Sequence, residues 1–505
     1  VEGNGKLYRD QKSYLPNVYR YNYWSSPVIK TLGNTAYKVG EVMHDGTIPT
    51  TETSTAKSIV FKPYTQLSDL NGETTDPIKI ADYWINTYFD SNGNRGGWVQ
   101  TGHDSNINIA EGYIMKSTGR SPQNYTFVGT PNDGTYTKTV AASTSSLVGN
   151  PYPSVIDTQK FIQDNSAVID GTLYFWEHKG ESTTTDVQVE GHGKYGYEGG
   201  YSQRNQAMGV AANSVIEGTA GLGNSSYTAP PQYIAVGQGF FVSAPSNKGG
   251  TFSFKNSQRT YSANNVFFKG QTNNNLPNFK LGFDYTNTSN AGIHRQLGIN
   301  FKAGNTFNYE SGFDSETFDL QTTDLHWDFP EVESNLIIAG IGELSAQLQV
   351  PLGLIIDTDK PVTLMIDEKE NMDGYNIYLV DLLTGQIFNL ENPKVLNLAK
   401  GTYKNRFILI FGGTALGIDD EVLLNKVFVY ADNMNNELVI KNNNNQEIDK
   451  VEIYNLLGQK VTTWKNIETK FENRIATNNL ASSIYIVKVY TDKGITSKKI
   501  SINNN

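Results

Sequence analysis

The chain has 505 residues and a formal net charge of −10, with 41 Lys and Arg against 51 Asp and Glu. This acidic balance excludes a general nucleic-acid-binding protein, because phosphate recognition needs a dense basic surface. The absence of cysteine excludes disulfides, thiol nucleophiles and zinc–thiolate sites. The longest apolar runs, such as residues 336–341, are far shorter than the roughly 20 residues of a transmembrane helix. We therefore expect a protein that is not integral to a membrane.

The composition predicts an all-β fold. The 47 Gly, 29 Tyr and 23 Phe favour strands and turns over helices. At roughly 150 residues per domain, the length predicts about three domains. Short apolar segments separated by Gly, Asn, Pro and Ser are typical of strands and turns. We predict tandem β-sandwich modules, jelly-roll or Ig-like, that end in a small Ig-like β-sandwich.

The first predicted domain covers residues 1–270. The chain begins at Val1 without an initiator Met, so we expect a mature or C-terminal fragment. The best helix candidate is residues 154–165, where Ser154 and Asp157 fit a capping box.

Two further elements are predicted in this domain. An apolar-rich strand is expected over residues 233–242. Residues 181–226 are rich in Gly and Tyr and poor in aliphatic side chains, which predicts a long surface excursion. Gly200, within it, is expected to lie in a loop without close packing.

Two composition breaks divide the rest of the chain. The polar residues 271–275 open a second predicted β-sandwich over 271–413, with strands near 279–285, 297–301 and 407–411. A linker is predicted over 414–426 and a small domain over 427–505. The last 85 residues carry a net charge of +2 and the preceding residues −12, so the tail is a separate module by charge as well.

The predicted C-terminal domain shows clear strand alternation. Tyr485, Val487 and Val489 fall on one face of a strand. The sequence Asp-Lys-Gly at 492–494 predicts a hairpin turn before a last strand over 495–502. Because these strands need a second layer to cover their apolar face, a small antiparallel sandwich is expected.

Two segments of this domain, residues 451–460 and 479–488, resemble the signature stretches of the type A C-terminal sorting domain. Proteins of the Bacteroidota that are exported by the type IX secretion system carry this domain. The chain departs from the family pattern at residues 430–433, which read Tyr-Ala-Asp-Asn instead of Tyr-Pro-Asn-Pro, and at Ser483, which replaces a Gly.

The resemblance implies a secreted or cell-surface protein, on the exterior of the outer membrane. Its implied partners are the type IX outer-membrane shuttle protein and the translocon. The candidate residues for the sorting signal and translocon contact are Leu456, Leu457, Gly458, Gln459, Ile484, Tyr485, Val487, Lys498 and Lys499.

The remaining chain is similar to blocks near the C-termini of large flavobacterial surface proteins. This second resemblance implies a long adhesin-like protein of which the chain is the C-terminal part. The blocks occur at residues 23–27, 112–116, 149–154, 171–178, 237–242, 254–259 and 294–297.

No common enzyme signature occurs in the sequence. It contains no Gly-x-Ser-x-Gly, His-Glu-x-x-His or phosphate-cradling Gly-x-x-x-x-Gly-Lys-Ser/Thr motif. A glycosidase needs only two carboxylates at a suitable distance, which a sequence cannot reveal. We predict a non-enzymatic, adhesin-like protein, with a polysaccharide-acting enzyme as a minor alternative.

Residues 90–94 partly resemble a calcium-binding loop. Asp90, Asn92 and Asn94 place oxygen ligands at alternate positions. However, Arg95 and Thr101 occupy the sixth and twelfth positions, where an EF-hand has Gly and a bidentate Glu. A plain Asx-rich hairpin loop is the favoured interpretation, and no cofactor is expected. The acids at 314, 316 and 319 are interpreted as the exposed face of a strand.

Glycan binding is the main alternative function. Tyr195, Tyr197 and Tyr201 lie in the Gly-rich excursion, where exposed aromatic rings could stack on sugars. Most of the chain's aromatic residues must fill the core of a β-protein, so this hypothesis competes with a purely structural role.

Overall fold

The computed structural model describes residues 5–15, 18–46, 56–89, 97–178, 199–215, 229–261, 275–287, 292–413, 427–433, 435–442 and 446–503. These residues form an all-β protein, as the composition predicts. Tandem β-sandwich modules are followed by a C-terminal Ig-like domain.

The described residues before position 262 form short strands and two helices. The first of these elements are β1 (Leu7–Ser13), β2 (Tyr21–Trp24), β3 (Val28–Ile29), β4 (Ala36–Tyr37), α1 (Val39–Val42), β5 (Met43–Asp45), β6 (Lys57–Ser58), β7 (Val60–Lys62), β8 (Lys79–Ala81), β9 (Asn86–Tyr88), β10 (Trp98–Gln100), β11 (Ile107–Asn108) and β12 (Tyr113–Lys116). The following ones are β13 (Gln123–Pro131), β14 (Tyr136–Val140), β15 (Ser145–Gly149), β16 (Val155–Asp157), α2 (Thr158–Asn165), β17 (Leu173–His178), β18 (Gly199–Arg204), β19 (Gly209–Val210), β20 (Ser214–Val215), β21 (Tyr233–Ile234), β22 (Gly239–Ser243), β23 (Gly250–Phe254) and β24 (Arg259–Thr260). Single 3₁₀ turns occur at Leu67–Leu70, Asp82–Trp84 and Asn256–Gln258.

Three sheets of this region matter for the sites described below. Their strand orders are β1-β13-β5-β6, β10-β9-β12-β2 and β15-β22-β17-β18-β19. Aromatic residues fill the space between layers: Trp24 packs edge-on against Tyr125 at 5.2 Å, and Phe161 packs against Phe254 at 4.8 Å. Such rings bury large apolar areas, which explains the high aromatic content.

The predicted helix begins later than expected. Residues 155–157 form β16, whose Ile156 is fully buried and pairs with strands on both sides. Asp157, not Ser154, is the N-cap of α2, because its Oδ1 accepts a hydrogen bond from Gln159 N at 2.9 Å. The predicted strand over 233–242 is likewise divided into β21 and β22 by a turn at Gly237, whose φ is +70°.

The prediction of a surface excursion is wrong for its described residues, 199–215. They form β18, β19 and β20, and most of their side chains are buried. Polar groups replace aliphatic ones there and are hydrogen-bonded: Arg204 donates to Pro230 O at 2.8 Å, and Asn205 to Phe313 O at 2.7 Å. The other residues of the predicted excursion, 181–198 and 216–226, lie outside the described residues.

The second sandwich is built on one large, strongly hydrophobic sheet. Its strands are β25 (Asn278–Thr286), β26 (Gly292–Phe301), β27 (Ser315–Glu316), β28 (Asp324–Trp327), β29 (Leu336–Ile341), β30 (Gln349–Ile356), β31 (Val362–Glu370), β32 (Asn376–Asp381), β33 (Gln386–Asn389), β34 (Lys394–Leu396) and β35 (Gly401–Gly412). The strand order is β33-β32-β35-β30-β28-β29-β26-β25-β31-β34, with β27 and β20 paired to β29 and β26. In β25, Phe279, Leu281 and Phe283 alternate into the core, as the period of two requires.

The described residues before position 262, here called the first region, are joined to the second sandwich by a strand pairing and by a hydrogen bond. Strand β20, from the first region, pairs antiparallel with β26. Thr172 Oγ1 donates to Ser315 Oγ at 2.9 Å. Gly171, with φ of +97°, lets the two backbones approach closely, because a Cβ there would lie 2.6 Å from Gly312 N.

The C-terminal Ig-like domain consists of two facing sheets. Its strands are β36 (Val427–Asp432), β37 (Glu437–Asn442), β38 (Ile448–Asn455), β39 (Lys460–Lys465), β40 (Glu472–Ala476), β41 (Ser483–Thr491) and β42 (Gly494–Ile502). The sheet orders are β36-β37-β40 and β39-β38-β41-β42. Thr491 pairs with Gly494, which confirms the predicted hairpin turn. A separate apolar core lies between the sheets.

A second apolar contact joins this domain to the second sandwich. Strand β36 directs Val427 and Val429 into its own domain, whereas Phe428 is fully buried against Tyr378, Ile408 and neighbours of the second sandwich. Lys441 Nζ adds a hydrogen bond to Leu383 O at 3.2 Å. None of the helices in the described ranges is long and apolar enough to cross a membrane.

Candidate functional site

The turn between β38 and β39 carries two exposed leucines and is fixed by hydrogen bonds. Asn455 Oδ1 accepts hydrogen bonds from Leu457 N at 3.1 Å and Gln459 N at 2.9 Å. Gly458 supplies the left-handed residue that the turn requires, with φ of +78°. Leu456 and Leu457 are 60 % and 84 % exposed, so the turn offers an apolar contact point to a partner.

The predicted contact residues of β41 divide between surface and core. Tyr485 is 5 % exposed and Val487 is fully buried, so the prediction that they contact a partner directly is wrong for the folded domain. They face the opposite sheet because alternate residues of a strand point to opposite faces. Ile484, on the other face, is half-buried.

The two lysines of the last strand also differ in direction. Lys498 pairs with the inward-facing Val487, so it lies on the inner face of β42 at the open edge of the sandwich. Burial lowers the pKa of Lys498 to about 7. Lys499 is exposed. Both line a cavity of about 340 Å³ between the C-terminal domain and the second sandwich. A contact of either lysine with the translocon stays a prediction.

The outer face of the same sheet carries a fixed polar network that the sequence did not reveal. Tyr454 Oη donates to Glu452 Oε2 at 2.7 Å, and Lys450 Nζ donates to Glu452 Oε1 at 3.1 Å. These hydrogen bonds lower the pKa of Glu452 to about 2. The ammonium of Lys450 also lies 4.2 Å from the ring centre of Tyr490. The face is therefore charged and ordered.

A second candidate site, the aromatic cleft, lies where the first region meets the second sandwich. One lobe of about 540 Å³ is lined by the rings of Tyr88, Trp98, Tyr201, Phe241 and Phe318. A neighbouring lobe of about 460 Å³ shares Phe318 and contains polar groups. Cavities of this size, with apolar walls and a few polar groups, are typical of small-molecule sites.

Ring contacts hold the walls of the aromatic cleft. Trp98 packs edge-on against Tyr88 at 5.0 Å, and Phe318 packs against Tyr201 at 4.6 Å. Tyr201 Oη is 2.8 Å from Tyr23 Oη, which fixes that ring as well. Because Trp98, Tyr201 and Phe318 are only partly buried, each retains ring surface towards the cleft.

The second lobe of the cleft contains two carboxylates and a lysine. Tyr174 Oη donates to Asp170 Oδ2 at 2.6 Å, and Thr172 N donates to Asp170 Oδ1 at 2.9 Å. Burial raises the pKa of Asp170 to about 7, although these hydrogen bonds oppose the shift. Glu316 is exposed at the rim. Lys248 Nζ donates to Ser166 O at 2.9 Å and to Ser311 Oγ at 3.0 Å.

Comparison with known families assigns both parts of the chain. The family described as a domain of unknown function, DUF8693, matches residues 1–411. The chain belongs to this family. The match covers the first region and nearly all of the second sandwich, so the residues of the aromatic cleft in this chain lie within the matched range. A search of curated proteins gives no match.

The C-terminal Ig-like domain also has a family. The description "Secretion system C-terminal sorting domain" matches residues 429–503. This finding confirms the sorting domain that the two signature stretches predict. The DUF8693 protein is therefore one that is exported through type IX secretion and interacts with that system.

The other predicted ligand residues are distributed unevenly. Tyr201 lies in the aromatic cleft, whereas Tyr195 and Tyr197 lie outside the described residues. Asp90, Asn92 and Asn94 also lie outside them. Within the part of the chain that the structure describes, no group of three or more His, Asp or Glu side chains could hold a metal ion.

The interpretation of the acids at 314, 316 and 319 as an exposed strand face is wrong for two of the three. Asp314 is fully buried and accepts hydrogen bonds from Gly340 N at 2.6 Å and Glu310 N at 2.7 Å. Asp319 accepts from Tyr201 N at 3.0 Å and pairs with Arg295 at 3.1 Å. Only Glu316 is exposed, at the rim of the aromatic cleft.

Proposed function

We propose that the chain is the C-terminal part of a cell-surface protein of the Bacteroidota, with a non-enzymatic, adhesin-like role. The sorting domain carries the DUF8693 domain across the outer membrane, where it is displayed for binding. The observation that supports this most directly is the order of the parts: a large rigid β-body is followed by a small sandwich with its own apolar core and a sorting-domain match.

The exposed features of the sorting domain are the proposed contacts of the shuttle protein and translocon. The Leu456–Leu457 turn is apolar, exposed and fixed by Asn455, and Gln459 lies beside it. A rigid exposed turn costs little conformational entropy on binding, which suits a folded recognition signal. Ile484 and Lys499 extend the proposed contacts along the sheet.

Export is tested by removing the sorting domain. The intact chain and a chain that ends at residue 426 are expressed, each behind a signal peptide, in a type IX-competent host and in a strain that lacks the translocon. We expect the intact chain to be digested by protease added to whole competent cells, and the shortened chain to be protected in the periplasm. Equal surface exposure of both chains would contradict the proposal.

A pair of leucine variants tests the turn. Leu457→Asp introduces a charge at a position that is 84 % exposed, so it should leave the fold intact and reduce export. Leu67→Asp, in the body and 76 % exposed, is the matched control and should be exported normally. Equal export of the two variants would remove the turn from the proposed contact surface.

A further inference from the structure

We infer that the aromatic cleft binds a neutral sugar chain of an extracellular polysaccharide. This inference rests on the proposed surface display, since an exported domain meets such polymers, and it adds the class of ligand. Three features of the described residues carry it: partly exposed aromatic rings, a wall that is fixed before binding, and a rim of oxygen acceptors.

The rings supply the apolar half of a sugar site. A pyranose presents a face of C–H groups, and such a face packs on the flat surface of an aromatic ring. Trp98, Tyr201 and Phe318 all line one lobe and are partly exposed. Isolated exposed rings are ordinary on protein surfaces, but a concave group of them indicates a binding site.

The wall behind these rings is rigid. Phe241 and Tyr88, each 3 % exposed, pack edge-on against one another at 5.0 Å beneath Trp98. The ring centre of Tyr174 lies 4.4 Å from the ring centre of Phe318. A site that is already formed loses less conformational entropy when a ligand binds, so shallow contacts suffice for useful affinity.

The rim supplies the polar half of the site. Sugar hydroxyls need acceptors, and Glu316 presents an exposed carboxylate to both lobes. Asp170 adds a second carboxyl in the neighbouring lobe. The ammonium of Lys248 is already hydrogen-bonded to Ser166 and Ser311. Because the acceptors are acidic and the cation is engaged, a neutral sugar fits better than a uronate.

An apolar ligand is the competing occupant. It would use the rings but would offer no hydroxyl groups to the carboxylate of Glu316 at the rim. A sugar satisfies both halves of the site at once. The two ligands differ in their dependence on Glu316, and the experiment below uses that difference.

Binding is measured with the purified full chain. The probes are an array of neutral plant, fungal, algal and bacterial polysaccharides, polygalacturonate as the acidic polymer, and anilinonaphthalene sulfonate as the apolar probe. We expect binding to at least one neutral polymer and none to polygalacturonate. The neutral polymer should not displace dye that is bound outside the cleft. Titration calorimetry then gives the dissociation constant for each variant.

Three variants probe the cleft, and one is a control. Trp98→Ala and Phe318→Leu should each weaken binding by about tenfold, as loss of a central contact does. Glu316→Ala, at an exposed position, should weaken binding by about fivefold through the lost hydrogen bonds. Tyr64→Ala removes a ring that is 51 % exposed and packs on Tyr83, away from both lobes, and should bind normally. Thermal melting checks the fold of each variant.

Several results would overturn the inference. They are no binding to any neutral polymer, preferential binding to polygalacturonate, dye binding alone, or affinities that are the same in all variants. If Trp98→Ala fails to fold, Phe318→Leu and Glu316→Ala still decide the question, because the first keeps an apolar side chain and the second lies at the surface. Binding is measured without secretion, so loss of export with intact binding would contradict only the proposed function.

Discussion

Cations are paired differently in the body, which comprises the described residues of 5–413, and at its boundary with the sorting domain. In the second sandwich, His294 lies between two carboxylates, with Asp284 at 2.6 Å from Nδ1 and Asp367 at 2.8 Å from Nε2. The neighbouring Arg295 pairs with both Asp319 and Asp324 at 3.1 Å.

Lys498 of the sorting domain is the contrasting case. It faces the cavity at the boundary, and no ion pair involving it occurs in the residues that the structure describes. A paired charge fixes the geometry around it, whereas an unpaired one only adds a desolvation cost. The body is thus built as a fixed unit, and the sorting domain is a separate module held mainly by the apolar contact of Phe428.

The largest expected effect comes from breaking a buried pair in the body. Asp324→Ala leaves the fully buried guanidinium of Arg295 with one carboxylate instead of two. We expect a loss of about 3–5 kcal/mol in the free energy of unfolding, measured with urea. Asp104→Ala removes a surface carboxylate paired with Lys38 and should cause no measurable change. Equal changes in the free energy of unfolding for the two variants would show that the buried Arg295–Asp324 pair does not stabilise the fold.

The second prediction concerns pH. Burial lowers the pKa of His294, but the hydrogen bonds to Asp284 and Asp367 outweigh it and raise the pKa to about 9. The stabilisation is complete below the unfolded pKa of about 6.5 and is lost as the pH rises through about 9, by up to about 3 kcal/mol. Body stability should therefore fall between pH 7 and 9.5, and His294→Gln should remove most of this dependence.

Lys498 should give the opposite pH dependence of stability from His294. Its folded pKa is lowered to about 7, so its charge destabilises the folded state at low pH. That cost is relieved as the pH rises from about 7 towards the unfolded value of about 10.4. Lys498→Met should therefore stabilise the sorting domain near pH 7 and have little effect near pH 10. A body and sorting domain with the same pH slope would contradict the comparison.

The third prediction tests the contact between the two modules. Phe428→Ala removes the fully buried ring that packs on the second sandwich and should cost about 2–3 kcal/mol, less than a typical core Phe. Calorimetry should then show the sorting domain unfolding in a separate, earlier transition. Phe471→Ala, in the same domain but 37 % exposed, should not separate the transitions.

The fourth prediction compares two glycines. A Cβ at Gly200 would lie 2.2 Å from Asp319 Oδ2, so Gly200→Val should displace that carboxylate and destabilise the body. At Gly458 the space is open, but φ is +78°, so Gly458→Val should destabilise the sorting domain instead. We expect about 1–2 kcal/mol in each case, and reduced export only for Gly458→Val. Normal stability of Gly200→Val would contradict the packing at β18.

The smallest expected effect is that of calcium. A bound ion would stabilise the folded state by mass action and raise the melting temperature. We expect no rise in melting temperature with calcium beyond that with magnesium at equal ionic strength. A calcium-specific rise that disappears in Asp90→Ala would show that the loop at 90–94 is a metal site.

The sequence was most informative where the local pattern repeats a known module. Strand alternation and the two signature stretches predicted the sorting domain and its hairpin, because these depend on neighbouring residues. The aromatic cleft could not be predicted, since Tyr88, Trp98, Tyr201 and Phe318 come together only in the tertiary structure. Tyr201 was the one cleft residue proposed from sequence.

Buried polar residues caused the main error. The segment 199–215 has few aliphatic side chains, yet it lies inside because Arg204, Asn205 and their neighbours are hydrogen-bonded to distant backbone groups. Such partners are invisible in a single sequence. By contrast, Asn455 before the Leu-Leu-Gly turn is a recognisable Asx signal that could have been used.

The most direct test of the account is export of an unrelated passenger by residues 427–505 alone. The passenger follows a signal peptide and precedes this segment in a type IX-competent host. Because the sorting domain has its own core, we predict that the passenger appears outside the outer membrane. A passenger that remains in the periplasm, while the same passenger with an established sorting tail is exported, would contradict the account.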